Sequence, residues 1–288
     1  MDLIARIVGM VLLRPYVFVF FGVYLFVAVT RMGWRRTAVF SVIAYVVAFT
    51  AEFSSTRNGI PFGLYHYIDV TRDRELWISN VPFWDSLSFT FLCYLGWRLG
   101  VLLHAPMVVG RDDVQVVDSR EVATSWRACV TGALLMTWLD VVIDPLTVHG
   151  DRWFLGRMYY YPEGGIYFGV PLSNFVGWFV VGLTTTRLFQ LWERRYPGVG
   201  DAGARHLRYS GLFEPIVYLG ILAFNLVLTF WIGETLLGVV GIMLYVPLVV
   251  VTTIHVFDRR RRATDRDIAL YRREHPSGAM TSRSRVAA

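Results

Sequence analysis

Five polar residues occupy positions where a long apolar chain should have none. Glu52, Asp85, Asp140, Asp144 and Asn174 each fall at or near the end of an apolar run. A carboxyl group in hydrocarbon is expensive enough that it usually faces a protein interior and marks a site or a pathway. Asp140 and Asp144 are four residues apart, which on a helix places both on one face, about 6 Å apart along the axis. Two carboxyls so placed can divide acid and base work, one delivering a proton while the other orients or deprotonates water. For the pair, and most of all for Asp144, followed by Pro145, a second reading stays open: helix-end carboxylates solvated at the interface or paired with an arginine such as Arg152.

Two connections flank these residues. The first runs Asn58-Gly-Ile-Pro-Phe-Gly-Leu-Tyr-His-Tyr67; Gly59, Pro61 and Gly63 suit tight turns, and Phe62, Tyr65 and Tyr67 supply an aromatic shelf with His66 among them. The second carries Trp153, Tyr159 to Tyr161, Gly164, Gly165, Tyr167, Gly169, Pro171 and then Asn174 and Trp178. Taken singly, such aromatics belong to the interfacial belt of any membrane protein. Together, beside every embedded carboxyl, they point to a site, and ring faces stabilise a cation. His66 has no partner at metal-ligand spacing, so no metal is expected. Without GxGxxG, Walker or GxSxG patterns, neither a nucleotide nor a serine-hydrolase mechanism is indicated, and no cofactor is expected.

The elements that position these residues are membrane spans. Hydrophobic residues make up 55% of the 288, charged residues only 17%, and mean hydropathy is +0.47, which suits a bilayer rather than water as solvent. Runs long enough to cross fall at about 11–29, 37–53, 83–104, 127–145, 169–188, 212–232 and 235–257. The fold class is therefore all-α, a polytopic integral membrane bundle of about seven transmembrane helices over 1–257, with a basic, partly disordered cytosolic tail over 258–288 that touches lipid. Arg14 and Arg98, near span ends, are expected to snorkel to the headgroups. The pair Gly96 and Gly100 is a GxxxG of little specificity.

All 28 basic residues are arginine; the absence of lysine excludes a Schiff-base mechanism and hence a retinal pigment. The arginines are spread over span ends and the tail, which argues for membrane and against nucleic acid. Alternate connections hold 21 and 7 of them, so the N-terminus is expected outside, the C-terminus in the cytoplasm, and the five polar residues on the outer half. Cys93 and Cys129 are expected as buried thiols with no disulfide between them.

Glu52 with Gly59-Ile-Pro-Phe-Gly-Leu-Tyr-His-Tyr67, Leu139-Asp-Val-Val-Ile-Asp-Pro145 with Gly150 and Trp153, and Gly169-Val-Pro-Leu-Ser-Asn-Phe-Val-Gly-Trp178 resemble, in that order, the membrane carotenoid-biosynthesis family containing the CruF-type carotenoid 1,2-hydratases. Ser55, Asn58 and the run Val81-Pro-Phe-Trp-Asp85 depart from the family pattern. The resemblance implies addition of water to the terminal double bond of an acyclic end, of lycopene, γ-carotene or bacterioruberin-precursor type, in a bacterial or archaeal cell membrane, with membrane lipid and other carotenoid-pathway enzymes as partners. A buried, protonated carboxylic acid would start that reaction, a second carboxylate would activate water, and rings would screen the tertiary cation. Under this reading Asp140 is the first choice as acid, Asp144 and Glu52 handle water and Asn174 positions it. Asp85, Phe62, Tyr65, Tyr67, His66, Trp153, Tyr167 and Trp178 surround the substrate. The division of roles among the carboxyls stays open. A lycopene cyclase, which also begins by protonating an end alkene, and a transporter with carboxylates along its pathway are the competing functions.

Overall fold

The computed structural model describes residues 3–111, 113–196, 203–205 and 207–275. A short apolar helix, α1 (Leu3–Leu13), precedes α2 (Pro15–Asn58), in which Gly33 departs from helical geometry at φ 79°, ψ 168°. Only glycine adopts that conformation readily. In an unbroken helix residues 24 and 41 would lie about 25 Å apart, yet the Tyr24 hydroxyl is 2.7 Å from the Ser41 hydroxyl. The chain therefore reverses at Gly33, and α2 is a hairpin of two arms, 15–32 and 34–58.

The remaining helices are α3 (Phe83–His104), the short α4 (Arg120–Ala123), α5 (Trp126–Val148), α6 (Leu172–Arg195), α7 (Phe213–Trp231), α8 (Thr235–Phe257) and α9 (Asp265–Glu274). Among the described residues, five helices are long and apolar enough to cross a membrane: α2, α3, α5, α7 with its leading turn, and α8. Helix α6 has comparable length but carries Gln190, Glu193 and three arginines, and falls outside that group. Helix α3 is the centre of the bundle, with 83% of its most apolar window buried against 22% for α8 at the periphery.

Close packing of α3 on α5 rests on missing side chains. A Cβ on Gly132 would lie 2.6 Å from Trp97 Cα, and one on Gly100 would lie 2.8 Å from the Ala128 carbonyl oxygen. The Gly96 and Gly100 pair is thus a backbone crossing, more specific in space than in sequence.

Among the described residues, six very short strands cap the ends. β1 (His66–Tyr67) pairs antiparallel with β6 (Tyr159–Tyr160), β2 (Trp77–Ile78) with β3 (Val81–Pro82), and β4 (Met107–Val109) with β5 (Val114–Val116). The first two pairs sit at the end of the bundle where α2 and α5 finish and α3 and α6 begin. The third sits at the opposite end, where α9 docks on it: Tyr271 is buried with Val108 and Val117, and Glu274 accepts the Arg120 backbone N–H at 2.7 Å. Thus residues 258–275 of the basic tail fold by docking, while 276–288 lie outside the described residues.

The arginines expected to snorkel do not. Arg14 and Arg98 are 1% and 5% exposed. Arg14 pairs with Glu75 at 3.3 Å and donates to the Leu155 carbonyl at 2.5 Å and to Met158 Sδ at 2.7 Å. Arg98 pairs with Asp118 at 2.6 Å and Glu214 at 3.5 Å, and Arg31 joins Glu214 at 3.2 Å. Partner carboxylates from connections and from α7 reach both guanidinium groups, so neither needs the headgroup layer. Asp118 lies outside the helices; burial opposes its charge, but Arg98 and Arg31 hold it down to about 2. Cys93 and Cys129 are free and buried.

Candidate active site

Pairing of β1 with β6 brings the two Gly- and aromatic-rich connections together over one end of the bundle. Beneath them a cavity encloses about 860 Å³ of space, its open mouth included. Glu52 reaches it from the second arm of α2, Asp85 from the first turn of α3, Asp144 from the last turns of α5 and Asn174 from the first turn of α6.

Asn174 is the hinge of the polar wall. Its amide nitrogen donates to Asp144 Oδ2 at 2.6 Å and to Asp140 Oδ2 at 2.8 Å. Asp144 also accepts from the Tyr159 hydroxyl at 2.9 Å and from Trp178 Nε1 at 3.3 Å. Across the cavity the Tyr67 hydroxyl donates to Asp85 Oδ2 at 2.6 Å, and Ser86 hydrogen-bonds Glu52. Tyr67 and Tyr159 are direct cross-strand partners, so a single rung of ladder delivers one phenol to a carboxyl of α3 and another to a carboxyl of α5. Burial first, and the nearby carboxylates after it, push the Tyr65, Tyr67 and Tyr159 phenols well up; they remain hydrogen-bond donors. Ion pairs among the described residues take Glu75, Asp118, Glu193, Glu214 and Glu234 and leave Glu52, Asp85, Asp140 and Asp144 without a counter-ion. Arg152 pairs with Glu234 of the α7–α8 connection, so the salt bridge considered for Asp144 is not formed. Two carboxyls tied through one amide with no cation nearby can hold one proton between them.

Rings supply the rest. Trp178 stacks on Phe89 at 4.5 Å between centroids, and Tyr65 meets Tyr159 edge-on at 5.6 Å. Gly177 lets Phe62 in, since a Cβ there would fall 2.5 Å from Phe62 Cδ1.

Of the residues singled out in the sequence, the cavity gathers Glu52, Asp85, Asp144, Asn174, Phe62, Tyr65, Tyr67, Trp153 and Trp178. Asp140 does not line it: fully buried behind Asn174, it leaves Oδ1 without a partner. His66 is exposed against Tyr160, and Tyr167 packs on Phe168 and Phe175, both away from the cavity. The wall formed by Tyr16 and Phe20 of α2 and by Ile221, Phe224 and Asn225 of α7 was not foreseen. Only Asn225 carried a signal, as an amide inside an apolar run. Among the described residues no three His, Cys, Asp or Glu side chains are grouped to hold a metal ion.

A family model described as carotenoid biosynthesis protein matches residues 11–248. The bisanhydrobacterioruberin hydratase of Haloarcula japonica is 26% identical over 182 residues, which cover 61% of this chain and 54% of that protein. The chain thus spans about half the length of this curated relative. No solved structure matches.

Proposed function

The chain belongs to the carotenoid biosynthesis protein family, and on that premise we propose that it hydrates the terminal double bond of an acyclic carotenoid end, giving a tertiary alcohol without a cofactor. The observation that carries the reading is Asp144: a carboxyl with no counter-ion, held by amide, phenol and indole donors at the wall of an aromatic cavity that also presents Glu52 and Asp85. The relative's name as a hydratase supports the same chemistry.

In this mechanism Asp144 gives its proton to the less substituted alkene carbon, and the π pair becomes the new C–H bond. The tertiary cation left behind faces Tyr65, Phe89 and Trp178, whose ring faces stabilise it. Water held by Glu52 or Asp85 adds through oxygen, its spare proton passes to that carboxylate and returns from there to Asp144 before the next turnover, so the sum is alkene plus water to alcohol. Asp140 holds Asn174, and through it the orientation of Asp144; it touches no substrate. The role first given to Asp140 therefore passes to its neighbour one turn on.

The two arms of α2 with α3, α5, α6, α7 and α8 make seven crossings, with the cavity end outside and the arginine-rich end in the cytoplasm. Expression in a lycopene-accumulating host, with chromatography and mass analysis of the pigments, tests the function. A product heavier by one water is expected; an isomer of unchanged mass would mean cyclisation, and unaltered pigment from protein that accumulates in the membrane would refute catalysis.

A further inference from the structure

The cavity has two unlike walls. The carboxyls occupy the capped end with Tyr65, Tyr67, Tyr159 and Tyr161, whereas the side between the first arm of α2 and α7 presents Tyr16, Val17, Phe20, Ile221 and Phe224 before Asn225, with no carboxyl among them. Among the described residues no side-chain hydrogen bond or ion pair joins the first arm of α2 to α7 at the cavity's depth; Arg31 and Glu214 meet further along. It is closed by rings: Phe224 stacks on Tyr16 at 5.6 Å and meets Phe20 edge-on at 5.5 Å, and Phe20 leads inward to Phe91 at 6.1 Å. All three seam rings are partly exposed. The residues continuing the same faces are exposed apolar ones, with Val19 at 62% on α2 and Val227 at 67% on α7, so the seam faces hydrocarbon. One turn before Phe224, a Cβ on Gly220 would meet nothing within 4 Å, so the space on that side of the helix is open.

Resting on the hydratase reading, we propose that the carotenoid reaches the site sideways from the bilayer through the α2–α7 seam, and that Phe224 is the specificity-determining residue, passing a slender acyclic terminus and turning back a ringed one. Rings in van der Waals contact part by rotation about two side-chain torsions, without separation of backbones. The polyene beyond the seam stays in lipid, so the far end group is not read, and water meets the alkene from the opposite, polar side.

The test uses the full chain in lipid nanodiscs, with Phe20→Cys and Phe224→Cys combined; the native thiols are buried. Oxidation of this pair should lower hydration at least about tenfold relative to the same protein reduced, as expected when a gate is locked, and reductant should restore it. An unchanged rate after verified cross-linking would overturn the portal. A second variant keeps the question open to refutation if the cysteines do not bridge. Phe224→Ala should retain a carotenoid ringed at both ends through gel filtration, read by polyene absorbance, where the wild type retains only acyclic-ended pigment; equal retention by both would also overturn it. Wild type that retains acyclic pigment and never hydrates it would refute the hydratase reading while leaving the portal standing.

Discussion

At the scale of single residues, the donors around Asp144 set the sharpest expectations. Asp144→Asn keeps size, and its amide oxygen can still accept from Asn174 and Trp178 while Tyr159 turns its hydroxyl to accept, but it delivers no proton, so hydration should fall about 10²- to 10⁴-fold while the protein still accumulates in the membrane. Asp140→Asn should keep part of the activity and displace the pH–rate profile, because Asp140 acts through Asn174. Equal loss in both variants would return the donor role to the pair as a unit. Tyr159→Phe removes one buried donor and should cost about tenfold in turnover, read from the same pigment chromatograms. The carboxyls were legible because a charge in an apolar run has few bland explanations. The choice between Asp140 and Asp144 was not, since both share a helix face and only the position of Asn174 on α6 decides which one meets the cavity. His66 misled for a simpler reason: in extended backbone successive side chains alternate, so with Tyr65 and Tyr67 turned inward His66 must turn out.

Among the elements, the α3–α5 crossing is the least tolerant. Gly132→Val places a branched side chain where even a Cβ is 2.6 Å from Trp97 Cα. The overpacking should cost about 1–3 kcal/mol, seen as a lower melting temperature in detergent and lower abundance. Gly22→Ala, at a position where a Cβ meets nothing within 4 Å, should be neutral or slightly stabilising. The apolar runs located α3, α5, α7 and α8 to within a few residues, because hydrocarbon thickness dictates their length, whereas α6 runs on to Arg195, past the apolar run that ended near 188, on polar residues that hydropathy does not count. What hydropathy could not register was the single-residue reversal at Gly33, which needs a backbone conformation rather than a polar loop. Nor could it register the strands of two or three residues, whose pairing joins connections more than 90 positions apart. The α7 wall was illegible for a related reason: Phe224 and Ile221 look like any lipid-facing residues until a neighbouring helix is placed beside them.

For the molecule as a whole, the larger charge network stands apart from the cavity. Carboxyls without an ion-pair partner line the cavity, with the buried Arg14–Glu75 pair behind that end, and Arg31, Arg98, Asp118 and Glu214 form a compensated network at the other end. Reporter fusions at the C-terminus and within residues 66–76 should report opposite sides of the membrane; the same side for both would remove the seven-crossing topology. Asp118→Asn would leave the two buried guanidinium groups of Arg31 and Arg98 to share Glu214, one positive charge in excess, at a cost of about 3–5 kcal/mol, measurable as lost thermal stability. Because Asp118 is held at about 2 against an ordinary 3.8, its contribution is complete above the ordinary value and disappears only as pH falls through the folded one, so mild acid should leave this end intact. Arg14 adds a matter of timing. A chain is made from its N-terminus onward, yet the partners of Arg14 lie 61, 141 and 144 residues downstream, at Glu75, Leu155 and Met158. Its carboxylate partner Glu75 is made early, but the guanidinium at the head of α2 completes its set of partners only after the ribosome has passed Met158. The wall bearing Tyr16 and Phe20 is among the first parts synthesised and among the last seated.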